Sequence, residues 1–570
     1  MESKSFNEIF QAIFDSLDHD KLPDNNSALL QTVFLASRPL FDWKRLFDKP
    51  MNNDVTEEKC SQLREKGRIF LQKKNMMEAL SCFSRYIRLC HQLPENETKD
   101  GIKRNQLIQQ GYLGRSMIFY RVENYLRCID DCDAAFYYGE RSSSQDVTYR
   151  YVLFERKGKC YSELGNKMHA KINFDLALEA ADKANIPDKL LEAFQRQTND
   201  AIKKLDDISK KGNILFDESA DIIENTDSLN HANMGLMDKL HTSMSSKTTI
   251  VYSPDKGRYI VANQNIDIGD TILVEKVNVS YSCFDSKTKC SKACHHCLSS
   301  ICEYMAYFSP LVDGLGFCTW KCLMDAMNSY HPYERYLFQN YVNELEHQTE
   351  EEIQCASLFL AYKTITSKPA SFYLSEKCLT SILIKDPLYV LQKNHDSRKE
   401  NLSKMETQIK SLYNMETHIE DTPLDERVHI AIRSVILLRC LKETKYLSPD
   451  STLEEELHFL GLLFHFQFSI AYSVLQIYRV DGNVSGDIPL SALGSGIFDD
   501  LILFNHSCAS NTTRFYQGKL SLIISSLHRL IPYFVFFDAK LMNELFFLQF
   551  VFTLNCLTFD CCRWNCNIGC

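Results

Sequence analysis

Two pairs of cysteines stand out for what their side chains could do. "CHHC" holds Cys294 and Cys297, and "FCTWKC" holds Cys318 and Cys322, with twenty residues between the pairs. Each pair can offer two thiolates from one turn, and two such pairs close a tetrahedral zinc site. Buried free thiols are the bland alternative, and the short spacing argues against it. His295 and His296 lie inside the first pair and are expected to be exposed, with His296 able to compete as a ligand. A second, degraded site is expected beside the first. Cys302 and His331 could supply two ligands, but Met305 and Arg335 stand where a C-x2-C and an H-x3-C would end. A thioether is a poor zinc ligand and a guanidinium is none.

A second stretch with chemical content is "LFNHSCASN", Leu503 to Asn511. The apolar run Leu501–Phe504 reads as a buried strand, yet it ends on Asn505, His506, Ser507 and Cys508. Burying an amide or imidazole without a partner costs about 1–3 kcal/mol. A polar ligand is one way to satisfy these groups. Local backbone hydrogen bonds are the other.

The elements that must position these residues occupy a chain of 570 residues, long enough for several domains. Its composition, 45% hydrophobic and 24% charged, is that of a globular protein. A net charge of −10 argues against general affinity for nucleic acid or anionic membrane. The opening "MESKSFNEIFQAIFDSLDHD" is amphipathic with acidic breaks and does not read as a secretory leader. Of the 22 cysteines, seven fall between Cys283 and Cys322 and five in the last fifteen residues. Without an export signal, that clustering favours metal ligands over disulfides and implies a reducing compartment. "LFFLQFVFTLNCLTF", Leu545 to Phe559, falls short of the roughly 20 residues a membrane span needs.

The first half reads as helical and repetitive. Gly67, Phe70, Ala79 and Phe83 recur as Gly158, Tyr161, Ala170 and Phe174. A weaker copy between them holds Ser116, Phe119, Cys128, Cys132 and Ala135. Small residues let antiparallel helices approach, and the aromatics fill the space beside them. The pattern resembles the tetratricopeptide repeat, with copies 49 and 42 residues apart and the excess in polar loops. Lys66, Arg68, Lys73 and Lys74 could clamp a peptide carboxylate, although solvated lysines explain them as well. "DESADIIENTDSLNHANMG" reads as a linker. From Thr248 to Lys276, β-branched runs broken by "PDKG" and "IGD" read as two or three strands. A helical stretch from about Glu334 to Val480 follows the cysteines, and strand-like sequence returns near Ile497–Ser526.

The order of repeats, "KGRYIVANQNIDIGD", cysteine pairs and "GSGIFDDLILFNHSCASN" resembles the SET and MYND domain family of protein-lysine methyltransferases. The N-terminal repeats make it most similar to the member-four subgroup and its insect relatives. The likeness runs from about Cys60 to Ser526 and implies an α+β multidomain protein. Residues 1–55 are an N-terminal helical segment, 56–209 tetratricopeptide-like repeats and 210–247 a linker. Residues 248–285 and 481–530 form the two parts of a SET domain, split by a MYND-type zinc finger at 286–335 and a helical insertion at 336–480. Residues 531–570 are a divergent cysteine-rich tail.

The resemblance also implies two cofactors, S-adenosyl-L-methionine and zinc. Lys256, Gly257 and Arg258 would hold the amino-acid end of S-adenosylmethionine, and Asn505 and His506 its amine and adenine. Asn511 would cap the turn, and Ser510 replaces the family's usual proline. The chain departs from the family beyond Ser526. A "GEE" turn and a Tyr–Gly pair are expected there, and "LSLIISSLHRLIPYFVFFDAKLMNELFF" stands in their place. Tyr533 is the nearest aromatic hydroxyl, and no catalytic residue is assigned. Ser473 replaces a family asparagine. The family's C-terminal helical domain has no counterpart, as an alternative transcript, a mis-spliced form or a faulty gene model would each produce. The tail cysteines do not follow the family's C-x-C-x2-C spacing.

Two functions are therefore open. One is a methyltransferase acting on a histone or non-histone lysine in transcriptional regulation. The other is a non-catalytic adaptor that binds a chaperone tail through its repeats or a proline-containing regulator peptide through its finger. Neither involves direct binding of nucleic acid or membrane. The resemblance implies residence in nucleus and cytoplasm.

Overall fold

The computed structural model describes residues 6–40, 55–93, 100–142, 148–184, 187–211, 243–254, 257–284, 290–341, 351–379, 383, 404–480, 490–505, 511–517 and 521–526. Lys256, His506, Ser510, Tyr533 and the tail cysteines lie outside them. The described residues are mixed, with many helices and four small antiparallel sheets.

Helices α1 (Phe6–Asp15) and α2 (Asn26–Ser37) are followed by six helices that form three hairpins. These are α3 (Glu57–Gln72) with α4 (Met76–Gln92), α5 (Asp100–Arg121) with α6 (Tyr125–Glu140), and α7 (Thr148–Glu163) with α8 (Lys167–Lys183). Helix α9 (Asp188–Lys211) packs on the last. One turn recurs in all three hairpins. Lys74, Glu123 and Gly165 take left-handed φ values of 58°, 60° and 78°. The next residue, Asn75, Asn124 or Asn166, donates its N–H to the carbonyl of Phe70, Phe119 or Tyr161 at 2.9 Å. Each asparagine side chain then caps the following helix. The three turns fall at the 49- and 42-residue spacing of the sequence copies. Inside the hairpins the small residues meet the aromatics as expected, with Gly67 against Phe83 and Gly158 against Phe174.

Strands β1 (Thr248–Ser253) and β2 (Gly257–Ala262) form a hairpin. Strand β3 (Thr271–Lys276) and β4 (Val279–Ser282) follow at once but join different sheets. Next comes the cysteine segment, with β5 (Tyr307–Phe308), β6 (Gly316–Phe317) and α10 (Trp320–Met327). A helical region follows: α11 (Arg335–Tyr341), α12 (Glu351–Thr366), α13 (Ala370–Tyr373), α14 (Lys404–Tyr413), α15 (Leu424–Glu443) and α16 (Leu453–Ala471). The chain then returns to the sheets with β7 (Leu475–Val480), β8 (Leu490–Ile497), β9 (Thr512–Gln517) and β10 (Ser521–Ser526). The sheet orders are β3-β10-β9 and β4-β8-β7. Val279 pairs with Ile497 and Lys276 with Ser521, so the cysteine segment and the helices are inserted between strands that pair in space. Strand structure resumes earlier than expected, at Leu475, because β8 pairs on one side with β4 and on the other with β7.

The N-terminal helices return to the inserted ones. Arg427 on α15 donates to the Asp24 carbonyl at 2.7 Å and to Asn26 at 3.0 Å. Phe10 and Phe14 lie edge-on to His429. One large core runs through hairpins, cysteine segment and inserted helices, and a smaller one lies among the strands. No helix among the described residues is long and apolar enough to cross a membrane.

The Gly158 contact is testable. A Cβ there would sit 2.6 Å from the Phe174 ring. Gly158→Ala is therefore expected to lower stability by about 1–3 kcal/mol, the cost of overpacking. Chemical denaturation at unchanged m-value measures it, and an unaltered midpoint would contradict the close packing.

Candidate metal centre and the polar turn

The cysteine pairs converge. Cys294 lies in a tight turn, where its carbonyl accepts the Leu298 N–H and its N–H reaches the Ser299 carbonyl at 2.9 Å. Cys318 follows β6, and Cys322 lies in the first turn of α10. Thr319 caps that helix by accepting the Cys322 N–H at 3.1 Å. The sulfurs of Cys297 and Cys318 are 3.5 Å apart, Cys318 and Cys322 3.6 Å, and Cys322 and Cys297 4.0 Å. All four ligand atoms, with Cys294, lie within 4.8 Å of one another. A tetrahedron of Zn–S bonds of about 2.3 Å needs sulfurs about 3.8 Å apart, so the donor set fits zinc. Hydrogen bonds from the other three thiols hold the Cys297 thiol well below its ordinary range. Burial pushes Cys294 up. A bound cation is what would let all four thiols ionise together.

The second set of expected ligands is not assembled. Cys302 is exposed. His331 is fully buried, and both its nitrogens are engaged: Nδ1 with Glu334 at 2.8 Å and Nε2 with the Ser309 hydroxyl at 2.6 Å. Ser309 Oγ already accepts the N–H groups of Leu311 and Val312, so its proton goes to His331. Among the described residues, the four-thiol group is the one cluster of three or more such side chains close enough for a metal.

His295 corrects an expectation. It is 1% exposed, and its Nε2 faces both Glu334 oxygens at 3.1 Å. The turn that bends Cys294 toward Cys297 drives this ring inward, where Glu334 needs a donor. His296 is engaged at Nδ1 by the Tyr330 hydroxyl. Lys363 of α12 completes the group. Its ammonium donates to the carbonyls of Ser280 and His295 at 2.7 and 2.6 Å and lies 4.0 Å over the Tyr330 ring. Burial pushes Lys363 down to about 8 and His295 down to about 4. Burial alone would raise Glu334, but its histidine partners and Lys363 hold it well below the usual carboxylate range. The H-x2-E spacing of His331 and Glu334 was visible in sequence, whereas the partnership with Lys363 was not.

The polar turn is built from β3. Residues Leu501–Leu503 form a 3-10 turn, not the buried strand expected from their apolarity. The reason is Glu275, a buried carboxylate that accepts the N–H groups of Asp499 at 2.5 Å and of Asp500 and Leu501 at 3.0 Å. Those donors are thereby unavailable to a sheet ladder. Burial and the nearby Asp500 and Asp499 push the Glu275 carboxyl well up. Leu501 and Leu503 share the small core with Ile260 and Ala262 of β2. The strand that opens with Gly257 and Arg258 thus packs beside the turn that leads to Asn505. Gly257 has a φ of 66° and open space above its Cα. Arg258 reaches the Asn414 carbonyl at 3.4 Å. Asn505 and Asn511 are half-buried. Ser473 is buried, and its hydroxyl donates to the Ser469 carbonyl. A water-sized cavity of about 20 Å³ lies nearby among Thr364, Ser367, Leu412, Phe498 and Ile502. Gly257, Arg258 and Asn505 are not among its lining. Lys66, Lys73 and Lys74 are exposed, and Arg68 pairs loosely with Glu65.

No protein-family profile matches this chain. Over 88 residues it is 33% identical to a SET and MYND domain-containing protein of Dictyostelium discoideum, a stretch covering 15% of this chain and 21% of that protein. The chain is thus similar, over a limited segment, to a protein named for the domains its motifs resemble.

Two outcomes test the site. Elemental analysis of the purified chain is expected to find about one zinc per chain, lost in Cys297→Ser and Cys322→Ser and kept in Cys302→Ser. Loss in Cys302→Ser would mean that the second set binds metal. Glu275→Leu strands three N–H groups, two of them buried, and is expected to cost about 2–5 kcal/mol, with Glu275→Gln recovering part of it. Equal stability of all three forms in denaturant would remove Glu275 as the organiser of the turn.

Proposed function

We propose that this chain is a SET and MYND-type protein, of the subgroup with N-terminal tetratricopeptide repeats, built as a protein-lysine methyltransferase. The observation that carries the reading is the shared core of β2 and the 501–503 turn. Ile260 and Ala262 of β2 pack with Leu501 and Leu503, although the cysteine segment and the inserted helices separate them in sequence, and this supports assigning Gly257, Arg258 and Asn505 to one site. The limited similarity to the Dictyostelium protein and the four-thiol cluster inserted between paired strands support it.

In this reading S-adenosylmethionine, when bound, supplies the methyl group. Arg258 offers a guanidinium suited to a carboxylate, Gly257 leaves its backbone open to close approach, and Asn505 contributes an amide. Lys256 and His506 are assigned to the same site from the motif. Zinc at Cys294, Cys297, Cys318 and Cys322 is structural, since all four tetrahedral positions are protein sulfurs. The substrate is a lysine of a histone or another protein, and residence is nuclear and cytoplasmic.

A second reading has a specific sequence ground. The segment after Ser526 lacks the "GEE" turn and Tyr–Gly pair that would close a lysine channel. The chain would then act as an adaptor for a chaperone tail or a proline-containing peptide. Calorimetric titration of the zinc-loaded protein with S-adenosylmethionine separates the two. The methyltransferase reading predicts micromolar binding that is abolished in Asn505→Ala and His506→Ala. No heat from a folded, zinc-containing sample would leave the adaptor.

A further inference from the structure

The loop that runs from Cys302 into β5 lacks the ligands a metal would need, yet it is held firmly by side chains from a different part of the chain. Three successive carbonyls of this loop face the helical hairpins. The Tyr304 carbonyl accepts from Ser84 Oγ at 2.6 Å. The Met305 carbonyl accepts from Arg127 at 3.4 Å. The Ala306 carbonyl accepts from Arg115 at 3.1 Å. Arg127 also donates to the carbonyl of Cys318, one of the four thiol residues. Arg115 is itself fixed: it is fully buried, paired twice with Asp131 at 2.8 and 2.9 Å, and bonded to Ser84 Oγ. The Tyr307 hydroxyl closes the set by donating to Asp131 at 2.8 Å. At the rim, Arg88 grips both Asp313 oxygens. Tyr112 stacks on Tyr307, and Trp320 meets Tyr112, Tyr137 and Tyr138.

We propose that the hairpins take the place of a second metal ion. Ser84, Arg115 and Arg127 clamp the 304–306 carbonyls and the Cys318 carbonyl, so docking of the hairpins and retention of zinc by the four thiols are energetically coupled. The proposal rests on the zinc reading above. Its physical basis is that Arg127 bridges the loop and a ligand-bearing residue through one guanidinium. Losing the clamp frees the peptide that carries Cys318, and losing the metal frees the carbonyls that the clamp binds. Such coupling is reciprocal. Arg127 is a positioning residue and touches no metal.

The test uses the full chain. In wild type and in a Ser84→Ala/Arg127→Gln double variant, zinc release to a chelating dye and amide hydrogen exchange are followed together. The proposal predicts release about tenfold faster in the variant. It also predicts faster exchange across 302–308 with unchanged exchange in α7 and α8. Unchanged release and exchange would overturn it. Wild type without zinc would defeat the metal reading instead, and the exchange of 302–308 in the metal-free chains would still decide the clamp. If the double variant does not fold, chelation of the wild type gives the reciprocal measurement. Faster exchange in α4 and α6 with α8 and α9 unchanged supports the coupling, and no change in α4 and α6 overturns it.

Discussion

A fully buried ion pair, Arg115 with Asp131, sets the terms for much of this structure. Removing two charges from water costs several kcal/mol per ion, and the deficit is recovered only when geometry is good and every remaining hydrogen-bonding site is filled. The helical hairpins alone do not fill them. The missing partners come from the cysteine segment, as the Ala306 carbonyl for the arginine and the Tyr307 hydroxyl for the aspartate. Undocking the segment would leave a buried pair short of partners. Docking is therefore imposed by electrostatics as well as by the aromatic packing around Trp320.

From that contact the rest of the arrangement follows. The cysteine segment is inserted between β4 and β8, so anchoring it to the hairpins also anchors the small sheets. On its other side, Lys363 of α12 binds the Ser280 and His295 carbonyls and thereby joins β4, the first cysteine turn and the inserted helices. Glu334 gathers His295 and His331 into the same buried group. This buried group, with the Lys363 ammonium set against the Glu334 carboxylate, fixes these elements to one another through hydrogen bonds. The N-terminal helices close the circuit through Arg427.

Local features were readable from the sequence and distant partnerships were not. The cysteine spacing announced the four-thiol cluster because each pair sits within one turn. The repeat was legible because Gly67 and Gly158 stand at a fixed spacing from the aromatics Phe83 and Phe174, whereas the capping asparagines Asn75, Asn124 and Asn166 at the same spacing went unread. Leu501–Leu503 misled, because apolarity says that a segment is buried and not which backbone it adopts. The deciding group was Glu275, far away in the chain. His295 misled in the same way: a histidine inside a cysteine turn looks exposed until Glu334 and Lys363 are known to face it. Arg115 and Arg127 carried no signal, since a charged residue on a helix is ordinarily solvated.

The central claim is one all-sulfur metal centre among the described residues, with the second set of ligands replaced by protein contacts. X-ray absorption at the zinc edge of the full chain tests it most directly. The account predicts a first shell of four sulfurs at about 2.3 Å with no imidazole component. A mixed sulfur and nitrogen shell, with more than one zinc per chain, would mean that His331 and Cys302 hold a metal after all and would contradict the account.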